Sequence, residues 1–289
     1  MNLPDSVRIE AGLGELNRLV IKAPQADAEI YLHGAHVTHF QPRGQRPVLF
    51  MSGKSVFESG KPIRGGVPIC FPWFGKQEHD RRPIHGFARL TEWHLTGAEQ
   101  TRDGAVVVNF RFSSDAGTRK QWGHDFDVNY RVKVGATLEM ELRVYNPSKQ
   151  PLRFEEALHT YLAVSDVRQI GIAGLVGATY SDRVGTPHTE VEGAAPIRIT
   201  AETDRIYLNT HATCIVDDPG WQRRLIVEKT GSDTTVVWNP WIAKAKAMPD
   251  FGDDEWPAML CIETCNVREQ AISLAPGQTH TMTATVRVA

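Results

Sequence analysis

Along much of this chain every second residue is apolar. That period of two is what a strand with one buried face requires, because successive side chains point to opposite sides of a sheet. Val106, Val108, Phe110 and Phe112 share one parity, as do Phe126, Val128, Tyr130, Val132 and Val134, and then Leu138, Met140, Leu142 and Val144. The last two runs are joined through Gly135-Ala136-Thr137, a hairpin-length connection that predicts antiparallel pairing. Further strands are predicted at 16–21, 28–32, 197–200, 213–216, 225–228, 234–238, 259–263 and 282–288. About a dozen strands predict an all-β chain built as a large antiparallel β-sandwich. Helical periodicity is confined to 241–248 and 115–120, too short to build a core.

The chain has 289 residues, a length that large β-sandwiches reach as one unit, and 41% of them are hydrophobic. No repeat, low-complexity tract or Gly/Ser-rich linker divides it, so a single domain over 1–289 is expected. Lys and Arg number 32 against 34 Asp and Glu, a formal net charge of −2, which gives no global pull toward nucleic acid. Cys70, Cys214, Cys261 and Cys265 form no C-x-x-C pair and fit reduced thiols of a cytoplasmic protein. No run of eighteen apolar residues and no signal-like start is present, so neither membrane insertion nor export is expected.

Two stretches, 43–86 and 179–195, read as long loops, and ordered loops on a rigid sheet often carry function. The first contains Ile63-Arg64-Gly65-Gly66-Val67-Pro68 and Phe71-Pro72-Trp73-Phe74-Gly75, followed by His85-Gly86-Phe87-Ala88-Arg89. Arg64 and Arg89 near one cavity would suit an anion, since a guanidinium grips phosphate or carboxylate through paired charge-assisted bonds. By themselves they read equally as surface or salt-bridge arginines. His159, in Phe154-Glu155-Glu156-Ala157-Leu158-His159-Thr160-Tyr161, falls on the face of Ala157 and Tyr161 by alternation; a lone histidine there is more often a satisfied core residue than a catalyst. Glu263 ends the apolar run 259–262 and could project into a cleft or into solvent. Asp204 and the Trp238-Asn239-Pro240-Trp241 segment offer polar and stacking groups, or ordinary strand ends. His33, His36 and His39 recur every third residue, but a strand sets His36 opposite the other two, and no H-E-x-x-H helix is present, so no metal site is expected. The acidic run Asp253-Asp254-Glu255 reads as a solvated loop able to cap a helix or meet a basic group. A glycine-rich nucleotide loop and a G-x-S-x-G elbow are both absent from the sequence.

Taken together, Gly34-Ala35-His36-Val37, the Arg64-Gly65-Gly66 and His85-to-Arg89 segments, the His159 run, Thr203-Asp204-Arg205-Ile206-Tyr207, Trp238-Asn239-Pro240-Trp241 and Cys261-Ile262-Glu263-Thr264 resemble the aldose 1-epimerase (galactose mutarotase-like) superfamily. The R-G-G and H-G-F-A-R pieces are similar to its hexose-6-phosphate mutarotase branch, the glucose-6-phosphate 1-epimerases. The resemblance runs over most of the chain. It implies a supersandwich whose concave face holds the sugar, with no metal and no organic cofactor, acting on a small sugar phosphate; a monomer with no nucleic-acid or membrane partner is expected. By position it implies His159 and Glu263 as catalytic residues, Arg64 and Arg89 as substrate-binding and plausible phosphate-binding residues, Asp204 as a carboxylate on sugar hydroxyls, and His85 as a further substrate-binding histidine.

Exchange of the α and β anomers needs a base at O1 and an acid at O5 that swap roles for ring closure. The expected assignment is Glu263 at O1 and His159 at O5. It calls for a histidine protonated near neutral pH, with a carboxylate neighbour or a partly solvated site; alternation offers Glu155 on its side of the strand and Glu156 on the other. A phosphate held by Arg64 and Arg89 would orient the ring, so unphosphorylated sugars should react poorly. Other readings of the same residues are a mutarotase of an unphosphorylated aldose, a non-catalytic carbohydrate-binding domain, or a glycosidase using Asp204 with Glu263.

Overall fold

A computed structural model describes residues 3–77 and 82–289. The alternating runs form the backbone of an eight-stranded antiparallel sheet. Its order is Gly171–Ala173, Cys214–Asp218, Arg223–Thr230, Thr279–Val288, Leu138–Tyr145, Asp127–Val134, Val106–Ser113, His94–Gln100. One parity of these strands is buried throughout: Val128, Tyr130, Val132 and Val134, for example, are all fully covered.

A second eight-stranded sheet runs His188–Val191, Thr179–Asp182, Thr203–Tyr207, Thr234–Asn239, Met259–Asn266, Glu156–Leu158, Ile69–Cys70, with Tyr161–Ala163 also pairing on Met259–Asn266. Its paired strands are antiparallel as well. Apolar residues of both sheets, such as Leu142 and Met282 from the first and Val237, Leu260 and Ile262 from the second, belong to one buried cluster, which makes the fold a β-sandwich. A four-stranded antiparallel sheet, Val7–Ala11, Asn17–Lys22, Ala26–Tyr31 and His36–Pro42, joins the same core through Leu19, Ile30 and Phe40.

The helices are short, as the periodicity predicted. Ala116–Trp122 carries a capping box in which the Asp115 side chain accepts from Thr118 N at 2.7 Å and Thr118 Oγ1 accepts from Asp115 N at 2.8 Å. Trp241–Ala247 follows Asn239, whose side-chain oxygen accepts from Trp241 N. Among the described residues no helix is long and apolar enough to cross a membrane.

Several expectations are corrected. The stretch 197–200 is not a strand: Ile197 makes one isolated bridge to Ile172. The stretch 179–195 is not one long loop, because Thr179–Asp182 and His188–Val191 pair antiparallel, with His188–Val191 as the edge of the second sheet; the edge strand is exposed along its length and its neighbour buries only Tyr180, which leaves no alternation to read. His33 lies in the turn before His36–Pro42, so the three histidines do not share a strand. His36 is buried with Nε2 on Gly65 O at 2.8 Å, and burial pushes its pKa down to about 3, while His33 Nε2 meets Lys61 O at 2.7 Å. Glu255 is a clasp rather than a solvated charge: it accepts from Ser52 Oγ, Gly53 N and Gly252 N, which ties 252–255 to the loop that carries Arg64.

Candidate active site

The register of the second sheet assembles the site. Asp204 pairs with Trp238, Trp238 with Cys261, and Cys261 with Tyr161; one row along, Ile206 pairs with Val236 and Val236 with Glu263. Because cross-strand partners share a face, these residues present one surface. Between Glu156–Leu158 and Tyr161–Ala163 the strand is interrupted at His159-Thr160, and the interruption brings His159 opposite Glu263. The Arg64-Gly65-Gly66-Val67-Pro68 segment is laced onto that break: Tyr161 N donates to Gly66 O and His159 N to Pro68 O. Gly66 sits at φ +59°, and a Cβ there would lie 2.2 Å from Val37 O, so only glycine permits this approach. Gly86, at φ +75°, would likewise drive a Cβ to 1.9 Å from Phe71 O.

The result is a cleft of about 790 Å³ lined by Arg64, His85, Arg89, His159, Asp204 and Glu263, so all six predicted residues meet in one place. His159 Nε2 lies 3.3 Å from Glu263 Oε1 on its floor, with His159 7% and Glu263 1% exposed. The His159 ring stacks on Tyr161 at 4.8 Å and meets Trp238 edge-on, which fixes its plane.

Burial governs the electrostatics. Glu263 is pushed well above the ordinary carboxylate range by desolvation, then by the nearby Asp204 charge. His159 is pushed well below the ordinary imidazole range by desolvation, then by the positive charges of Arg89 and Arg64. Both shifts run against the expectation of a histidine protonated near neutral pH, because burial favours the neutral form of each partner. Nor is Glu155 its partner. Glu155 accepts from Phe74 N and Arg268 N, and Glu156 is buried against Asn266 and His280. Alternation failed here because the strand breaks at His159; the carboxylate that meets it comes from across the sheet.

His85 adopts φ +65° and its Nδ1 accepts from Gly75 N at 3.2 Å. Desolvation, then the Arg89 charge, holds it well below its usual pKa. A neutral His85 with Nδ1 accepting keeps its proton on Nε2, which makes it a donor. Its ring packs against Phe74 and His159.

The two arginines differ. Arg64 donates Nε and Nη2 to Asp250 Oδ2 at 3.2 and 3.0 Å and Nη1 to Tyr161 Oη at 3.0 Å, an arrangement that orients the guanidinium. Arg89, 6% exposed, donates Nη2 to Ile84 O at 2.8 Å, its Nε has no hydrogen-bond partner, and no carboxylate among the described residues pairs with it. A buried guanidinium without a counter-ion costs free energy unless an anion joins it. The cleft is also lined by Lys76, Arg183, Lys244 and Arg268, of which Lys244 pairs with Glu202 at 2.8 Å. Sequence reasoning missed these four and Asp250, because they sit in loops or at strand and helix ends with no local pattern. The one available signal for Asp250 was the acidic stretch at 250–255. Asp204 lines the cleft and is raised by burial.

Comparison with known proteins bears on the fold and the family. The family model for aldose 1-epimerase matches residues 17–287. A relative from Salmonella typhimurium bearing the name "Putative glucose-6-phosphate 1-epimerase" is 36% identical over 252 residues, 87% of this chain and 84% of the relative. One from Cenchrus ciliaris with the same name is 35% identical over 274 residues, 91% of this chain and 82% of the relative. A crystal structure from Salmonella typhimurium described as a "putative mutarotase" has a TM-score of 0.93 at 32% identity, covering all of this chain and 95% of that one. A galactose mutarotase-like protein from Clostridium acetobutylicum, 14% identical with a TM-score of 0.76 over 98% of each chain, shares the fold. With its sandwich, its cleft and a family match over nearly its whole length, the chain belongs to the aldose 1-epimerase family of isomerases.

Proposed function

We propose that this protein interconverts the α and β anomers of an aldohexose 6-phosphate, with D-glucose 6-phosphate, the sugar in its relatives' names, as substrate. The observation that carries this reading is the His159–Glu263 contact of 3.3 Å on the floor of a cleft whose buried Arg89 lacks a carboxylate partner among the described residues. A proton-exchanging pair supplies the chemistry, and an uncompensated cation supplies the reason for a charged substrate.

In this reading burial favours the neutral form of both partners in the free protein, and so a proton on Glu263. Burial is the largest cause that lowers His159, followed by the Arg89 and Arg64 charges; a phosphate dianion against those arginines offsets the second cause and so favours transfer of that proton to the imidazole. Glu263 then accepts the O1 proton as the C1–O5 bond breaks and C1=O1 forms, and His159 gives its proton to O5. After rotation about C1–C2, O5 adds to the other face of C1, returns its proton to His159, and O1 recovers its proton from Glu263. Atoms and charges balance, and the ring-opened complex holds the pair in the same state as the free protein. The phosphate thus does more than orient the ring. In this reading Asp204 and the Nε2–H of His85, both lining the cleft, hold ring hydroxyls, and Trp238 packs on the sugar.

Exchange between the H1 signals of the two anomers, followed by NMR magnetisation transfer at equilibrium, tests this directly. The protein should accelerate exchange of glucose 6-phosphate over the spontaneous rate and do so at least about tenfold better than for glucose, the lower bound set by one charge-assisted hydrogen bond. Binding of glucose 6-phosphate without acceleration would instead assign a carbohydrate-binding role.

A further inference from the structure

We infer that His159, Glu263 and Cys261 together form a site for one soft divalent cation of the zinc class, and that such a metal blocks the cleft floor. Strand register puts Cys261 two residues from Glu263 on the same face, and the His159 break closes the third side. The ligand-bearing atoms of the three residues all lie within 4.8 Å of one another. His159 Nε2 and Glu263 Oε1 are 3.3 Å apart. Two ligands each about 2.1 Å from a tetrahedral zinc are separated by roughly 3.4 Å, so this pair already has the spacing of a metal edge. The thiol needs to approach by about 1 Å to complete a face with a sulfur–metal bond of about 2.3 Å, a movement within reach of side-chain torsions.

The donor set is a thiol, an imidazole and a carboxylate, which favours zinc, cobalt(II) or cadmium over magnesium or calcium. Glu263 Oε2 is buried without a hydrogen-bond partner, so the carboxylate keeps unspent acceptor capacity beside the pair. Cys261 is fully buried, and Cys70 and Cys265 lie outside the group. Cys261 would bind as thiolate, its proton leaving to solvent, and the fourth metal position would open into the cleft. A metal there occupies the lone pairs that proton transfer needs, so its effect is inhibition. The site depends on these three side chains alone and not on which sugar the protein accepts.

The test uses the whole metal-free protein and reads metal binding as well as activity. In competition with a chromophoric chelator, one equivalent of Zn²⁺ should bind with a Kd below about 10 µM. Co²⁺ should give intense tetrahedral visible bands and a thiolate charge-transfer band in the near ultraviolet. Cys261→Ala should lose the charge-transfer band and bind Zn²⁺ about 10²-fold more weakly. Cys261→Ser, nearer in size, serves as the second variant, with unfolding curves confirming that each is folded. In anomer exchange, Zn²⁺ should inhibit the wild type reversibly with a chelator, and inhibit each variant, relative to its own metal-free rate, only at correspondingly higher concentration. Wild-type affinity weaker than about 10 µM, a Co²⁺ spectrum without the thiolate band, or unchanged affinity in both variants would each overturn the inference. Because metal binding is measured without sugar, a failure of the sugar-phosphate reading would show in the activity arm alone.

Discussion

Replacing Arg89 by methionine separates phosphate recognition from ring chemistry. Methionine has a similar reach and no charge, and the arginine it replaces is buried with a single backbone bond, to Ile84 O, and an unpartnered Nε. Removing one charge-assisted hydrogen bond to a phosphate forfeits about 1.5–3 kcal/mol, a loss of roughly 10- to 150-fold in kcat/KM for glucose 6-phosphate at 1.4 kcal/mol per decade. Unphosphorylated glucose makes no such bond. Its exchange should hold or rise, because the Arg89 charge that depresses His159 is gone. Stability should change by only about 1 kcal/mol, since the lost bond is offset by removing a buried charge without a carboxylate partner. NMR exchange on both sugars at equal concentration gives the ratio. Equal losses on the two sugars, or none on glucose 6-phosphate, would refute the placement of the phosphate at Arg89.

Other outcomes follow from the same geometry. Asp250→Asn removes the carboxylate that orients Arg64 and leaves the Tyr161 bond; KM for glucose 6-phosphate should rise about fivefold, the effect of about 1 kcal/mol for a partly exposed pair, with kcat nearly kept. Glu263→Gln should make the protein more stable at neutral pH while disabling it. The folded-state pKa of Glu263 lies above its unfolded value, so the cost of ionising it in the fold is absent below about pH 4.5 and grows as pH rises through the folded pKa. Urea midpoints of the two proteins should therefore coincide near pH 4 and separate near pH 7.5. Asp115→Ala breaks the capping box of Ala116–Trp122 and should cost about 1 kcal/mol in urea unfolding without changing anomer exchange.

The sandwich was legible because strands such as 106–113, 127–134 and 138–145 bury one face, and burial writes itself as a period of two. The pair His188–Val191 and Thr179–Asp182 was not legible, because the solvated edge strand imposes no pattern on its side chains and its four-residue neighbour buries only Tyr180. The site followed the same divide. His159, Glu263, Arg64, Arg89, Asp204 and His85 sit in segments whose residues carry a family resemblance, and they do meet in one cleft. What lay beyond reach was whatever depends on distance across the sheet: that Glu263 and not Glu155 faces His159, that Asp250 holds Arg64, and that burial, with two arginine charges beside it, lowers the imidazole pKa. Local alternation cannot see these, because register and loop closure set them.

The central claim is that His159 and Glu263 act as one proton-exchanging unit on a sugar phosphate. Anomer exchange of glucose 6-phosphate measured for His159→Asn, Glu263→Gln and the double variant tests it most directly. Each single variant should lose roughly 10²- to 10⁴-fold, and the double variant should lose little more than the worse single, as residues acting as a unit do. Near wild-type exchange in either single variant, or losses that multiply in the double, would contradict it.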